Sequence, residues 1–97
     1  MTHKAIDAFS DFIALYPNDE RVPQAREKIK TMKVEQALGN MKIARYYEKL
    51  GKLDGAKNYY NEVKELAPGT ESAAIALQKI DELQRQIDEE KASVTKP

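Results

Sequence analysis

Chemistry in this 97-residue chain has few places to reside, since it holds one histidine, no cysteine and no tryptophan. Without cysteine there is no disulfide, thiolate zinc site, iron–sulfur cluster or cysteine nucleophile. His3, the sole imidazole, lies at the chain end and reads as an end residue rather than as a general base or metal ligand. Gly51-Lys52-Leu53-Asp54-Gly55 sets a lysine among glycines. It lacks the upstream glycine and the following serine or threonine of a phosphate loop, so it reads as a turn. Asp88-Glu89-Glu90 has neither the glycine turn nor the alternating ligand spacing of a calcium loop, which leaves it a solvated helix end. Tyr46, Tyr47, Tyr59 and Tyr60 stand beside Arg45 and Lys49, a composition that could stack bases. No nucleophile–base pair can be assembled. The sequence therefore predicts no enzyme, no cofactor and no metal.

Charge points the same way. Lysine and arginine (16) balance aspartate and glutamate (16), which removes any bulk attraction to nucleic acid or anionic lipid. The balance conceals a segregation. Residues 1–20 carry Lys4 against Asp7, Asp11, Asp19 and Glu20; residues 21–64 carry eleven bases against five acids; residues 65–90 carry seven acids against Lys79 and Arg85. A basic middle and acidic ends can pair within the fold, face a partner, or simply solvate helix faces through i,i+4 pairs. No apolar run is long enough for a membrane span. No apolar h-region follows Met-Thr-His-Lys, so an exported protein would carry its targeting segment ahead of residue 1.

The elements that must position these residues are helical throughout. After Thr2, read as an N-cap, Ile6, Phe9, Ile13 and Tyr16 recur at three- and four-residue spacing, and Ala5, Ala8, Phe12 and Leu15 widen the stripe. Pro17-Asn18-Asp19 stops that helix, and Pro23 suits the first turn of the next, where a missing N–H costs nothing. Val22, Ala25, Ile29, Met32 and Gln36 continue the pattern. From Met41 to Leu50 a broad apolar face runs up to Gly51, a natural residue in which to end a helix. Leu53 to Leu66 forms another helix, closed by Pro68-Gly69. After Thr70, Ala73, Leu77, Ile80, Leu83 and Ile87 trace a last one to about residue 91, with 92–97 a frayed tail. No strand alternation occurs, so the fold class is all-α.

Within these helices a repeat is written twice. Ala5, Phe9, Phe12 and Pro17 have the same separations as Ala56, Tyr60, Val63 and Pro68, at an offset of 51 residues. That is one and a half times the 34-residue period of a tetratricopeptide repeat. Ile43, Ala44, Tyr47 and Gly51 complete the repeat at 37–70 as its apolar, small, aromatic and turn-glycine positions. Ala44 and Ala56 let two helices approach closely. Tyr47 and Tyr60 fill the space between them, which leaves Tyr46 and Tyr59 to interhelix packing or partial exposure, and Pro68 ends the unit. Asn40 departs from the pattern, where a large apolar residue is usual. The half-unit offset predicts one long helix over 22–50, roughly 43 Å at 1.5 Å per residue, with Gly39-Asn40 the place for any bend. The expected organisation is a single helical-repeat domain over 1–91: half repeat 2–17, long helix 22–50, complete repeat 37–70 and a terminal capping helix 70–91.

Residues 5–18, Ala-Ile-Asp-Ala-Phe-Ser-Asp-Phe-Ile-Ala-Leu-Tyr-Pro-Asn, resemble the second repeat helix of BamD-like (ComL-like) outer-membrane assembly lipoproteins. Residues 25–51, above all Ile43-Ala44-Arg45-Tyr46-Tyr47-Glu48-Lys49-Leu50-Gly51, resemble that family's long helix running into its next repeat, and Tyr59 to Leu83 fits as well. The resemblance implies a periplasmic lipoprotein held on the outer membrane, a scaffold in the insertion of β-barrel proteins. The lipid-bearing cysteine of that family is not among these residues, so membrane attachment would come only through an anchor outside this chain.

Repeat helices line a concave face, and repeat geometry puts Leu38, Met41, Arg45, Glu48 and Lys49 on it. This amphipathic, cationic strip suits an acidic or extended peptide, with Arg45 as the forked carboxylate contact; the alternative is that these are merely exposed helix residues. In the last helix, Ile80, Leu83 and Ile87 read as an apolar edge awaiting a further repeat, so a homo-oligomer through that helix is a second expectation. The function expected is a protein–protein interaction scaffold of the bacterial cell envelope. The alternative is a peptide-binding or self-associating adaptor outside it, and a nucleic-acid module would have only the basic middle in its favour.

Overall fold

A computed structural model describes residues 2–95, with the side chains of residues 4–93; Thr2 and His3, singled out above, have side chains outside this range. Four helices occur among the described residues, with no strand: α1 (Thr2–Leu15), α2 (Val22–Lys49), α3 (Leu53–Leu66) and α4 (Glu71–Thr95). This is an all-α fold of tetratricopeptide-type hairpins built around one long helix. The chain divides into two compact units, residues 1–36 and 37–97, where the sequence reads as one domain, and α2 contributes to both. Gly39 does not interrupt α2, which is helical from Val22 to Lys49. The tail expected to fray from Ala92 is helical as far as Thr95, since nothing between Glu90 and Thr95 breaks a helix.

In the first unit, Pro17 ends α1, whose last turn closes through Tyr16 N–H donating to the Phe12 carbonyl at 2.9 Å. Asp19 then organises the corner. Its carboxylate accepts from the Arg21 backbone N–H (2.9 Å) and from Arg21 Nε (3.0 Å) and Nη2 (3.1 Å), while its carbonyl accepts from Val22 N–H at 3.1 Å. The fork holds Arg21 with its guanidinium carbon 5.1 Å from the Phe12 ring centre. This aromatic contact ties α1 to the start of α2. Ala5, Phe9 and Phe12 are half-buried and Pro17 is exposed; Val22 and Ala25 are the buried residues here.

In the second unit, α2 stops at Gly51 by a mechanism legible from its glycine. Gly51 adopts φ +76°, its N–H donates to the Glu48 carbonyl at 3.0 Å, and Lys52 N–H donates to the Tyr47 carbonyl at 2.9 Å. This is the Schellman pair that satisfies the last carbonyls of a helix. Thr70 starts α4: its hydroxyl accepts from Ala73 N–H at 3.2 Å and donates to the Ala67 carbonyl at 2.6 Å, an N-cap that also fastens the end of α3. The core of the unit is small and tight, with Ala37, Ala44, Ala56, Tyr60, Val63 and Ala76 fully enclosed.

Two lattice and edge expectations change. Ile43, assigned to the repeat core, is 40% exposed, because it lies one residue, or about 100° of helix rotation, from Ala44, which faces α3. Leu83 and Ile87, read together with Ile80 as an edge awaiting a further repeat, are buried, and Ile80 is half-buried. Leu83 and Ile87 fill the α3–α4 hairpin and are not an unpartnered surface; Leu77, at 51%, is the exposed large apolar residue of α4 among the described residues.

Candidate functional site

The residues expected to meet a partner come from the second half of α2. Leu38 is half exposed, and Arg45 and Lys49 are exposed. Met41 is withdrawn from the set: it is buried, because three residues before Ala44 it shares the face that packs inward. Glu48 is half-buried and already engaged.

Glu48 is the centre of the arrangement. Its Oε2 lies 3.6 Å from the Lys79 ammonium of α4, and Lys79 also reaches Glu82 at 3.8 Å. The other carboxylate oxygen of Glu48 and the hydroxyl of Tyr60 are both enclosed without a hydrogen-bond partner. Burial pushes the Tyr60 phenol up to about 12, the Glu48 charge adds to the rise, and the Arg45 charge opposes it. Three helices thus place Arg45, Glu48, Tyr60 and Lys79 around one crease. The sequence pointed to Arg45 and Glu48 by repeat register; it gave no hint of Lys79, whose part depends on which turn of α4 lies beside α2.

The aromatic residues brace this assembly from the α3 side. Tyr47 stacks on Tyr59 with ring centres 5.3 Å apart and planes 24° from parallel, and the neighbouring Tyr47 raises the Tyr59 phenol above its ordinary range. Asn40, where the repeat pattern wants a large apolar side chain, donates instead to Glu62 of α3 at 3.3 Å. Tyr46 is 60% exposed. Four tyrosines therefore do not make one stacking platform: two are paired, one is core and one is outside.

The Gly51–Gly55 turn lines a cleft of about 640 Å³ with Ile87, Glu90 and Lys91. Its glycines serve the helix stop at Gly51 and the close pass of Gly55 under Tyr47, not a phosphate cradle. No group of three or more histidine, aspartate or glutamate residues is arranged to hold a metal among the described residues. No helix among them is long and apolar enough to cross a membrane.

A long α2 running straight into a repeat hairpin is the feature on which the family resemblance rests, and a comparison of the whole chain with protein-family profiles decides it. The profile of YfiO, described as an outer membrane lipoprotein, matches residues 1–96. The chain belongs to the YfiO family of outer membrane lipoproteins. The match takes in both compact units, so α1 and its corner belong to the YfiO pattern as much as the repeat hairpin does. Neither the curated proteins nor the solved structures include a match to this YfiO-family chain. Family membership associates it with the bacterial envelope, in a family whose members act through other proteins in outer-membrane assembly.

Proposed function

We propose that this chain is a non-catalytic interaction scaffold of the bacterial cell envelope, working on the periplasmic side of the outer membrane in the assembly of β-barrel proteins. The observation that carries this reading is the family match over residues 1–96. Attachment to the membrane would be by a lipid anchor, in keeping with a lipoprotein family.

The face that binds a partner, in this reading, is the crease between α2 and α4. Leu38 supplies an apolar contact, and Arg45 and Lys49 supply cations with no ion-pair partner among the described residues. Glu48 has its charge met by Lys79, so the net field at the open face is positive. An extended acidic segment fits such a face, and Arg45 can present a fork to a carboxylate. Arg45→Ala combined with Lys49→Ala should weaken binding of an acidic outer-membrane assembly partner roughly tenfold, in line with loss of a charge-assisted contact, while helical circular dichroism stays unchanged. In cells, the same variant should lower the yield of folded β-barrel proteins at unchanged scaffold levels. Full affinity in the variant would remove the crease from the mechanism; full affinity together with normal barrel yield would remove the proposed role.

A further inference from the structure

A second face of α2 carries an apolar line that the crease does not use. Ile43, Tyr46 and Leu50 are 40%, 60% and 50% exposed. Their spacing of three and four residues sets them in one row along the helix. Lys42 and, shared with the crease, Lys49, both exposed, flank the row with no ion-pair partner among the described residues. On its other side stands the Tyr47–Tyr59 stack, which gives the row a fixed wall.

The start of α2 shows what such a row accepts. Val22 and Ala25 are buried there, with Arg21 and Lys28 exposed beside them. Phe9 and Phe12 of α1 share a cavity of about 360 Å³ with Arg21, Ala25 and Lys28. α1 is amphipathic and carries Asp7 and Asp11; the buried Val22 and Ala25 at the start of α2 are flanked by the cations Arg21 and Lys28. The same combination, apolar row and flanking cations, recurs further along α2 with its large side chains in solvent.

We propose that the Ile43–Tyr46–Leu50 row is a docking site for an acidic amphipathic helix of a partner protein, received as the first turns of α2 receive α1. A second copy packing row against row is disfavoured, since it would bring Lys42 and Lys49 of one chain against those of the other. The recognition is helix-on-helix, with apolar anchors at i, i+3 and i+7 and carboxylates beside them.

The test uses the full chain and a fluorescent synthetic peptide of residues 2–16 as an acidic amphipathic probe. Tyr46→Ser with Leu50→Ser should weaken peptide binding at least tenfold, with Ile43→Gln as a milder variant if the double one loses helicity. Lys42→Glu should weaken it several-fold and flatten its salt dependence, and a peptide with both aspartates changed to lysine should not bind. Arg45→Ala should leave binding within twofold, which separates this site from the crease. Binding that ignores the row variants overturns the proposal. So does binding lost only in Lys28→Glu, which would mean that the peptide exchanges with α1 at its own seat. Self-association abolished by Tyr46→Ser, without peptide binding, would assign the row to a second copy. Capture of phosphatidylglycerol vesicles, abolished by the same change without peptide binding, would assign it to lipid.

Discussion

Gly55 of α3 passes directly beneath the ring of Tyr47 of α2: a Cβ built on the glycine would stand 3.6 Å from Tyr47 Cγ. That distance is ordinary van der Waals contact, so the site has room for one methyl group. Gly55→Ala should stabilise the protein by about 0.4–1 kcal/mol, because alanine loses less backbone freedom than glycine on entering the first turn of α3. Gly51→Ala, with nothing within 4 Å of the added Cβ but φ +76°, should destabilise by about 1–2 kcal/mol, since the left-handed region strains a residue bearing Cβ. Thermal unfolding of the two variants should move in opposite directions.

Tyr60 supplies a pH signature. Its phenol is pushed up to about 12, first by burial and then by the Glu48 charge, against an ordinary value near 10. The neutral form is the one the fold favours, so this contribution is intact below pH 10 and is lost as pH rises through 10 to 12. Two pH units correspond to on the order of 2–3 kcal/mol. Tyr60→Phe should leave stability at neutral pH within about 1 kcal/mol, since the hydroxyl has no partner to lose. The variant should also show a flatter decline in denaturant midpoint above pH 10 than the parent.

Leu83 and Leu77 separate core from surface on α4. Leu83→Ala, at a site only 3% exposed, should cost about 2–4 kcal/mol through lost burial and the cavity left behind. Leu77→Ala, at 51% exposure, should change stability by less than about 0.5 kcal/mol. Urea melts of the pair decide whether the apolar edge of this helix is internal. Equal, small effects would reopen the idea that Leu83 faces a missing neighbour.

The Asp19–Arg21 fork makes a prediction in acid. The Arg21 side-chain hydrogen bonds, followed by its backbone N–H, hold the Asp19 carboxyl at about 2. A depressed carboxylate stabilises the folded corner above the unfolded value near 3.9, and that contribution disappears as pH falls from about 4 to 2. Carboxyl carbon NMR should show Asp19 titrating at about 2. Arg21→Gln should return its midpoint to the ordinary range.

Much of this architecture was legible in the sequence because the signals are local. Pro17, Gly51, Pro68 and Thr70 act on their own turns, and three- and four-residue apolar spacing determines helicity without reference to any neighbour. The alanine and tyrosine lattice at Ala44, Ala56 and Tyr60 was readable for the same reason: close helix approach demands small residues at set intervals. Helix periodicity also named the side of α2 that bears Arg45.

What periodicity does not contain is which side of a helix finds a neighbour. Ile43 and Met41 illustrate it, two apolar residues two positions apart, one outside and one enclosed. Leu83 and Ile87 turned out to be core, and Lys79 turned out to complete the charge of Glu48. Those outcomes depend on the rotation and axial offset of α4 relative to α2 and α3. Packing of whole surfaces decides that offset, and a stripe of leucines and isoleucines satisfies several such offsets equally well. Secondary structure and its boundaries were therefore determined by the chain's own residues, whereas burial, ion pairing and the free faces of α2 were decided only when three helices were brought together.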